Sequence, residues 1–291
     1  MEEKNFALGV FSAVAVIFIW SGFIVFSRMG VATALTPFDI SALRFIVAGA
    51  ITAPFLLRWW PRHLSPWVIA LLVACGPGSI YALMMYFGLQ AAPAAYAGVF
   101  ANGALPIFTM LIAAWAAREV PGPRRAIAVA IIVAGGVMVA WRGLGAIGPE
   151  VAEGMALFVA ASAILSIYIY GLSHWKVTPY QALAIVNVPN MALFLPLWWF
   201  FLPSGLAEAE TFDIVFQALF QGLGPGFLAL ILFTLSAMHL GATPTAAFSA
   251  AVPAGAALLA IPVLDEVPTT LEWAGIGCVT LGLIVLVLRR T

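Results

Sequence analysis

Ten apolar stretches leave this chain few folds to choose from. They run over residues 7–29, 38–57, 66–90, 94–117, 125–141, 152–172, 180–201, 213–238, 245–263 and 270–288. A helix crosses a bilayer with roughly 17–25 residues. Lipid offers no partner to an open backbone, so only helices or closed barrels span it. The stretches are too long and too uniformly apolar for the alternating strands of a barrel. The sequence therefore predicts an all-α integral membrane protein with ten transmembrane helices. A soluble alternative fails on charge: only 8% of residues are charged and 64% are apolar, against about 25% charged in soluble domains. Connections are short and leave no room for a separate soluble domain. The first stretch follows directly on Met1–Asn5 with no small-residue cleavage site, so it reads as a spanning helix and not as a removable signal.

Lysine and arginine set the orientation. With the N-terminus in the cytoplasm, Lys4, Arg58, Arg62, Arg118, Arg124, Arg125, Lys176, Arg289 and Arg290 fall inside, and only Arg28 and Arg142 fall outside. That bias places both termini in the cytoplasm. Most tryptophans sit at span ends, where an amphipathic ring prefers the interface; Trp20 is mid-span.

The chain also repeats itself. Thr36-Pro37 recurs as Thr178-Pro179, Gly76-Pro77-Gly78 as Gly224-Pro225-Gly226, and Glu119-Val120-Pro121 as Glu266-Val267-Pro268. Residues 1–149 and 150–291 thus form two units of five helices each. An odd number of crossings makes the second unit enter from the opposite side, so the repeats are inverted. Two like halves facing opposite ways can exchange conformations, opening a central site first to one side and then to the other. No nucleotide-binding glycine loop, catalytic set or metal-ligand spacing stands in the sequence, so enzyme chemistry, cofactors and metals are not expected.

Trp20-Ser21-Gly22-Phe23 followed by Arg28, the run Ala42-Leu43-Arg44-Phe45, and Leu105-Pro106-Ile107-Phe108 through Arg118-Glu119 resemble signatures of the drug/metabolite transporter superfamily. The likeness covers nearly the whole chain and is similar to its ten-helix EamA-type exporters. Ser21 stands where the signature has glycine. The resemblance implies a bacterial inner-membrane exporter of amino acids or related metabolites. It also implies a central cavity formed mainly by helices 1, 3, 4, 6, 8 and 9, with helices 5 and 10 peripheral.

Both Gly-Pro-Gly motifs lie near mid-membrane. Proline removes a backbone donor and kinks a helix, and flanking glycines loosen it. Gly76, Pro77, Gly78, Gly224, Pro225 and Gly226 are accordingly read as hinges or site walls, the alternative being packing kinks. A mostly uncharged cavity beside them is expected to be lined by Trp20, Tyr81, Asn102, Tyr168, Phe227 and Ser249, several of them at matching places in the two halves. Trp20 reads equally as a packed core ring. Asn187 and Asn190, around Pro189, line a wet path or satisfy the carbonyls that proline frees; the second is favoured. Arg44, well inside helix 2, reads as a carboxylate clamp or as a structural residue that snorkels outward or pairs with a loop carbonyl or Asp39; the structural role is favoured. No acid lies in the middle third of any span, which predicts transport without proton or sodium coupling. A multidrug or metabolite antiporter, a channel-like permease and a lipid-substrate flippase are the alternatives.

Overall fold

The computed structural model describes residues 5–146, 148–240, 245 and 248–287, and the side chains of 142–146 lie outside the description. All regular structure among these residues is helical. The chain forms α1 (Phe6–Val31), α2 (Pro37–Trp59), α3 (Pro66–Ala91), α4 (Ala94–Ala117), α5 (Pro123–Ala146), α6 (Pro149–His174), α7 (Pro179–Phe201), α8 (Thr211–Leu240), α9 (Val252–Leu264) and α10 (Thr270–Val287). Nine of these are long and apolar enough to cross a bilayer. The shorter one is α9, and residues 241–244, 246 and 247 in front of it lie outside the description.

Local signals place the helix starts. Thr36 caps α2 by accepting from the Asp39 N–H, and Asp39 returns the bond; Thr178 and Gln181 do the same for α7. Proline follows each cap, at a position whose N–H no intrahelical bond would use. The matching ends are just as alike. Arg118 after α4 and Asp265 after α9 both turn left-handed, with φ of 55° and 56°, and their amides bond back into the last turn.

Packing repeats the sequence repeat. α1 packs on α8 and α9, as α6 packs on α3 and α4; α2 packs on α7, and α5 on α10. Lipid tails are as apolar as leucine, so helix association here rests on close approach and interhelical hydrogen bonds. Gly135 and Gly275 show the close approach: a Cβ on either one would lie 2.6 Å from the other's carbonyl oxygen. The repeat mates of this pair, Gly282 and Ala128, make the second contact of the same α5–α10 seam. Polar bonds join α1, α3 and α8: Gln221 Nε2 donates to Ser27 Oγ at 2.9 Å and Gln217 Nε2 to the Phe26 carbonyl at 2.7 Å, while Tyr86 donates to Gln221 Oε1 at 3.4 Å.

The two Gly-Pro-Gly motifs do not behave alike. α3 breaks outright between Cys75 and Ser79, with Gly76 and Gly78 both extended. In α8 the motif is absorbed into a π-turn, Gly224–Leu228, and the helix continues. A wider turn accommodates the N–H that Pro225 lacks, so the expected second break is a bulge instead. One helix supports both places. Asn190 of α7 accepts from the Ser79 N–H and Oγ at 2.7 and 2.8 Å, and Asn187 donates to the Gly226 carbonyl at 3.1 Å. Asn190 Nδ2 also donates to the Val186 carbonyl at 2.8 Å, one turn back. That carbonyl is not the one Pro189 frees, which belongs to Ile185; the asparagines instead reach across to two neighbouring helices, which the sequence did not disclose.

Candidate functional site

A cavity of about 550 Å³ runs from mid-bundle to the end where α4 and α10 finish. Its inner limit is Trp20, which stacks on Phe233 of α8 with centroids 5.5 Å apart. Beyond Trp20 the bundle is shut: Ser21 is 2% exposed, donates to the Val252 carbonyl at 3.4 Å, and stands where a Cβ on Gly255 would touch it. One wall is a single face of α4 carrying Asn102, Pro106, Thr109, Ala113 and Ala117, spaced three or four residues apart. Small side chains there leave the space. α6 holds the start of that wall in place, because Ser162 donates to the Ala101 carbonyl and Ser166 to the Leu105 carbonyl. Both carbonyls belong to a stretch where the π-turn Gly98–Asn102 meets Pro106, and backbone carbonyls there lose their helical partners. Opposite stand Ile169 of α6, Ser249 and Ala250 before α9, and the end of α10; Glu119 and Arg125 lie at the mouth.

Of the six residues expected to line one cavity, Trp20, Asn102 and Ser249 do meet in this one. Tyr81, Tyr168 and Phe227 are elsewhere. Tyr168 is 5% exposed and packs with Leu72 and Ile185, its ring against Gly76 at the α3 break. Phe227 lies within the α8 π-turn, and Tyr81 packs into the main core beside α1. Among the described residues the walls come from α1, α4, α6, the segment before α9 and α10, with Arg125 of α5 at the mouth, so α3 and α8, expected from the family resemblance, contribute no lining residue there, and α10 contributes three. The α4 stripe was legible as a run of small residues at helical spacing; the α10 contribution had no signal in the sequence.

The far end is sealed. Arg28 Nε pairs with Glu266 Oε1 at 3.0 Å, and its NH1 donates to the Leu89 and Gln90 carbonyls at the end of α3. Glu266 Oε2 accepts from the Ala94 N–H at 2.8 Å, at the start of α4. Glu272 of α10 bonds the Thr269 N–H and Oγ1. These contacts tie α1, α3 and α4 to the loop between α9 and α10. Glu119, the repeat mate of Glu266, makes no side-chain hydrogen bond or ion pair among the described residues and faces the open mouth. The same motif is thus engaged at one end, while at the other its glutamate makes no such bond among the described residues.

Two segments, residues 7–141 and 152–288, each match the model of the EamA-like transporter family. The chain belongs to that family. This EamA-like transporter is 24% identical over 268 residues to the "Uncharacterized transporter YetK" of Bacillus subtilis (strain 168), a match covering 86% of the chain and 78% of that relative. A solved crystal structure, described only as that of a protein, is 21% identical and superposes with a TM-score of 0.65 over 97% of this chain and 96% of that one. The last likeness speaks to the fold alone.

Proposed function

We propose that this transporter exports amino acids, neutral and bulky or aromatic, or related small metabolites, by alternating access. One observation carries the reading: a cavity opens at the end where α4 finishes, while Arg28 and Glu266 hold the far end closed. An inverted pair of halves can exchange these two states; residues 1–149 and 150–291 are the halves proposed to do so. The cavity walls support a solute with a bulky apolar part, because they are largely apolar around Asn102, Thr109 and Ser249. Burial against such walls contributes about 25 cal/mol per Å² and discriminates weakly between side chains. The proposed address is the bacterial inner membrane with both termini in the cytoplasm, so the open end faces inward. The finer likeness seen in the sequence, to the amino-acid exporter YddG, points to the same substrate class.

The test is uptake of labelled amino acids into proteoliposomes with and without ion gradients. Equilibrative movement unaffected by collapse of proton or sodium gradients is expected. Concentrative uptake that stops on collapse would reveal a missed coupling site and favour an antiporter, and a steady conductance would favour a channel-like permease.

A further inference from the structure

Arg44 lies two turns inside α2, in the part of the bundle that is sealed in this conformation. It does not snorkel to the outer surface: the residue is 2% exposed. Nor does it pair with Asp39. Both oxygens of that carboxylate are occupied, Oδ2 by the Thr36 N–H and Oγ1 and the Gly205 N–H, Oδ1 by Trp198 Nε1 at 2.9 Å. One Arg44 nitrogen, NH2, donates to the Pro77 carbonyl at 3.1 Å. Nε and NH1 make no hydrogen bond, although the Tyr86 hydroxyl lies beside the guanidinium. The guanidinium lies 5.7 Å from the ring centroids of Phe23 and Phe45, contacts that stabilise a cation but accept no N–H.

A guanidinium so buried, with three N–H groups unfilled, is short of an acceptor. No carboxylate among the described residues pairs with it: the one ion pair there is Arg28 with Glu266. We infer that Arg44 is the anion-binding group of the transport path and that it takes the carboxylate of the carried solute. The inference rests on the transport reading above and narrows its substrate class to solutes bearing a carboxylate. A lone guanidinium fits a monoanionic carboxylate; two or more cations would be needed to hold a phosphate dianion well.

Position supports the assignment. Phe23, beneath the guanidinium, is one helical turn along α1 from Trp20, where the open cavity stops. The acceptor that Arg44 does have belongs to Pro77, at the apex of the α3 break. A rearrangement of that break, the most deformable point in the bundle's sealed half, withdraws the Pro77 carbonyl and turns the guanidinium toward the path. Phe23 and Tyr86, whose rings lie 6.0 Å apart beside it, then form an aromatic wall for the side chain of the bound solute.

The probes are phenylalanine, leucine and their carboxamides, with the full chain in detergent for melting and in proteoliposomes for uptake. In the wild type the free acids should raise the melting temperature and the carboxamides should not. Arg44→Gln keeps an N–H for the Pro77 carbonyl but loses the charge. It should abolish the acid-specific rise, increase KM for the acids at least ten-fold and remove the preference for acids over carboxamides. Should that variant fail to assemble, Arg44→Lys keeps the charge without the planar fork, and KM for the acids should rise while the preference for them persists. Equal response to acids and carboxamides in the wild type overturns the site and leaves the transport reading standing. So does an Arg44→Gln or Arg44→Lys chain with unaltered KM. A wild-type chain that moves no probe overturns the transport reading, and the site with it.

Discussion

At the residue scale, several polar side chains inside this bundle stand where helix geometry has failed. Asn190 meets the donors released at the α3 break, Asn187 a carbonyl of the α8 π-turn, and Ser162 and Ser166 the carbonyls of α4. Lipid cannot substitute for any of them. Replacing Asn190 by leucine leaves the Ser79 N–H and Oγ unmatched, at about 1–3 kcal/mol for each orphaned group. The melting temperature should drop clearly; an unchanged melt would mean that water or a neighbour already serves Ser79. The seal behaves differently, because its contacts exist in only one conformation. Glu266→Gln removes the charge that holds Arg28, and charge-assisted bonds are worth about 1.5–3 kcal/mol. The population should shift toward the state open at the far end by about ten-fold or more for 1.4 kcal/mol. A cysteine placed at Ala113, in a chain without Cys75 and Cys278, reports it: labelling by an impermeant thiol reagent from the side of the termini should fall. Unchanged labelling would show that the Arg28 pair does not hold the seal.

At the element scale, the repeat is close in design and unequal in execution. α3 and α8 carry the same Gly-Pro-Gly, yet one breaks and the other bulges. The neighbours decide this. Gly78 packs so tightly on Asn190 that an added Cβ would fall 2.5 Å from its Nδ2, and Gly76 faces the Tyr168 ring; extended backbone there lets α7 and α6 approach. Pro77→Ala restores an N–H and favours a continuous α3, since interior proline costs a helix about 3 kcal/mol. That change should slow transport strongly, while Pro225→Ala, in a turn that stays helical, should slow it less. Transport at full rate in both variants, or greater damage from Pro225→Ala, would reject α3 as the principal hinge.

At the scale of the whole molecule, the conformation is asymmetric although the sequence is nearly symmetric. The outer half of α8 packs broadly on α2, whereas its counterpart, the first half of α3, packs less on α7. One cavity and one seal follow from that inequality. The inverted arrangement itself makes a simple prediction: reporter fusions at residues 120 and 208 should report opposite sides of the membrane, with 120 in the cytoplasm. The same side for both would contradict a ten-span chain.

Much of this architecture was legible in the residues because it depends on short-range chemistry. Ten apolar stretches dictate ten helices once lipid is the solvent, Thr-Pro marks where α2 and α7 begin, and the register of Glu-Val-Pro and Gly-Pro-Gly exposes the repeat. Trp20, Asn102 and Ser249 line one cavity, in keeping with their mid-span depth and matched offsets, which are sequence properties. Tertiary structure alone decided which faces turn inward. Tyr81, Tyr168 and Phe227 share that mid-span depth but do not line this cavity, whereas the end of α10, packed on α5, does. Arg44 makes the point most sharply. Its sequence position allowed snorkelling or pairing with Asp39, but Trp198 and Gly205, more than 150 residues away, claim that carboxylate first. Competition for a hydrogen-bond acceptor between groups distant in the chain has no trace in local sequence, and it left the guanidinium on the Pro77 carbonyl.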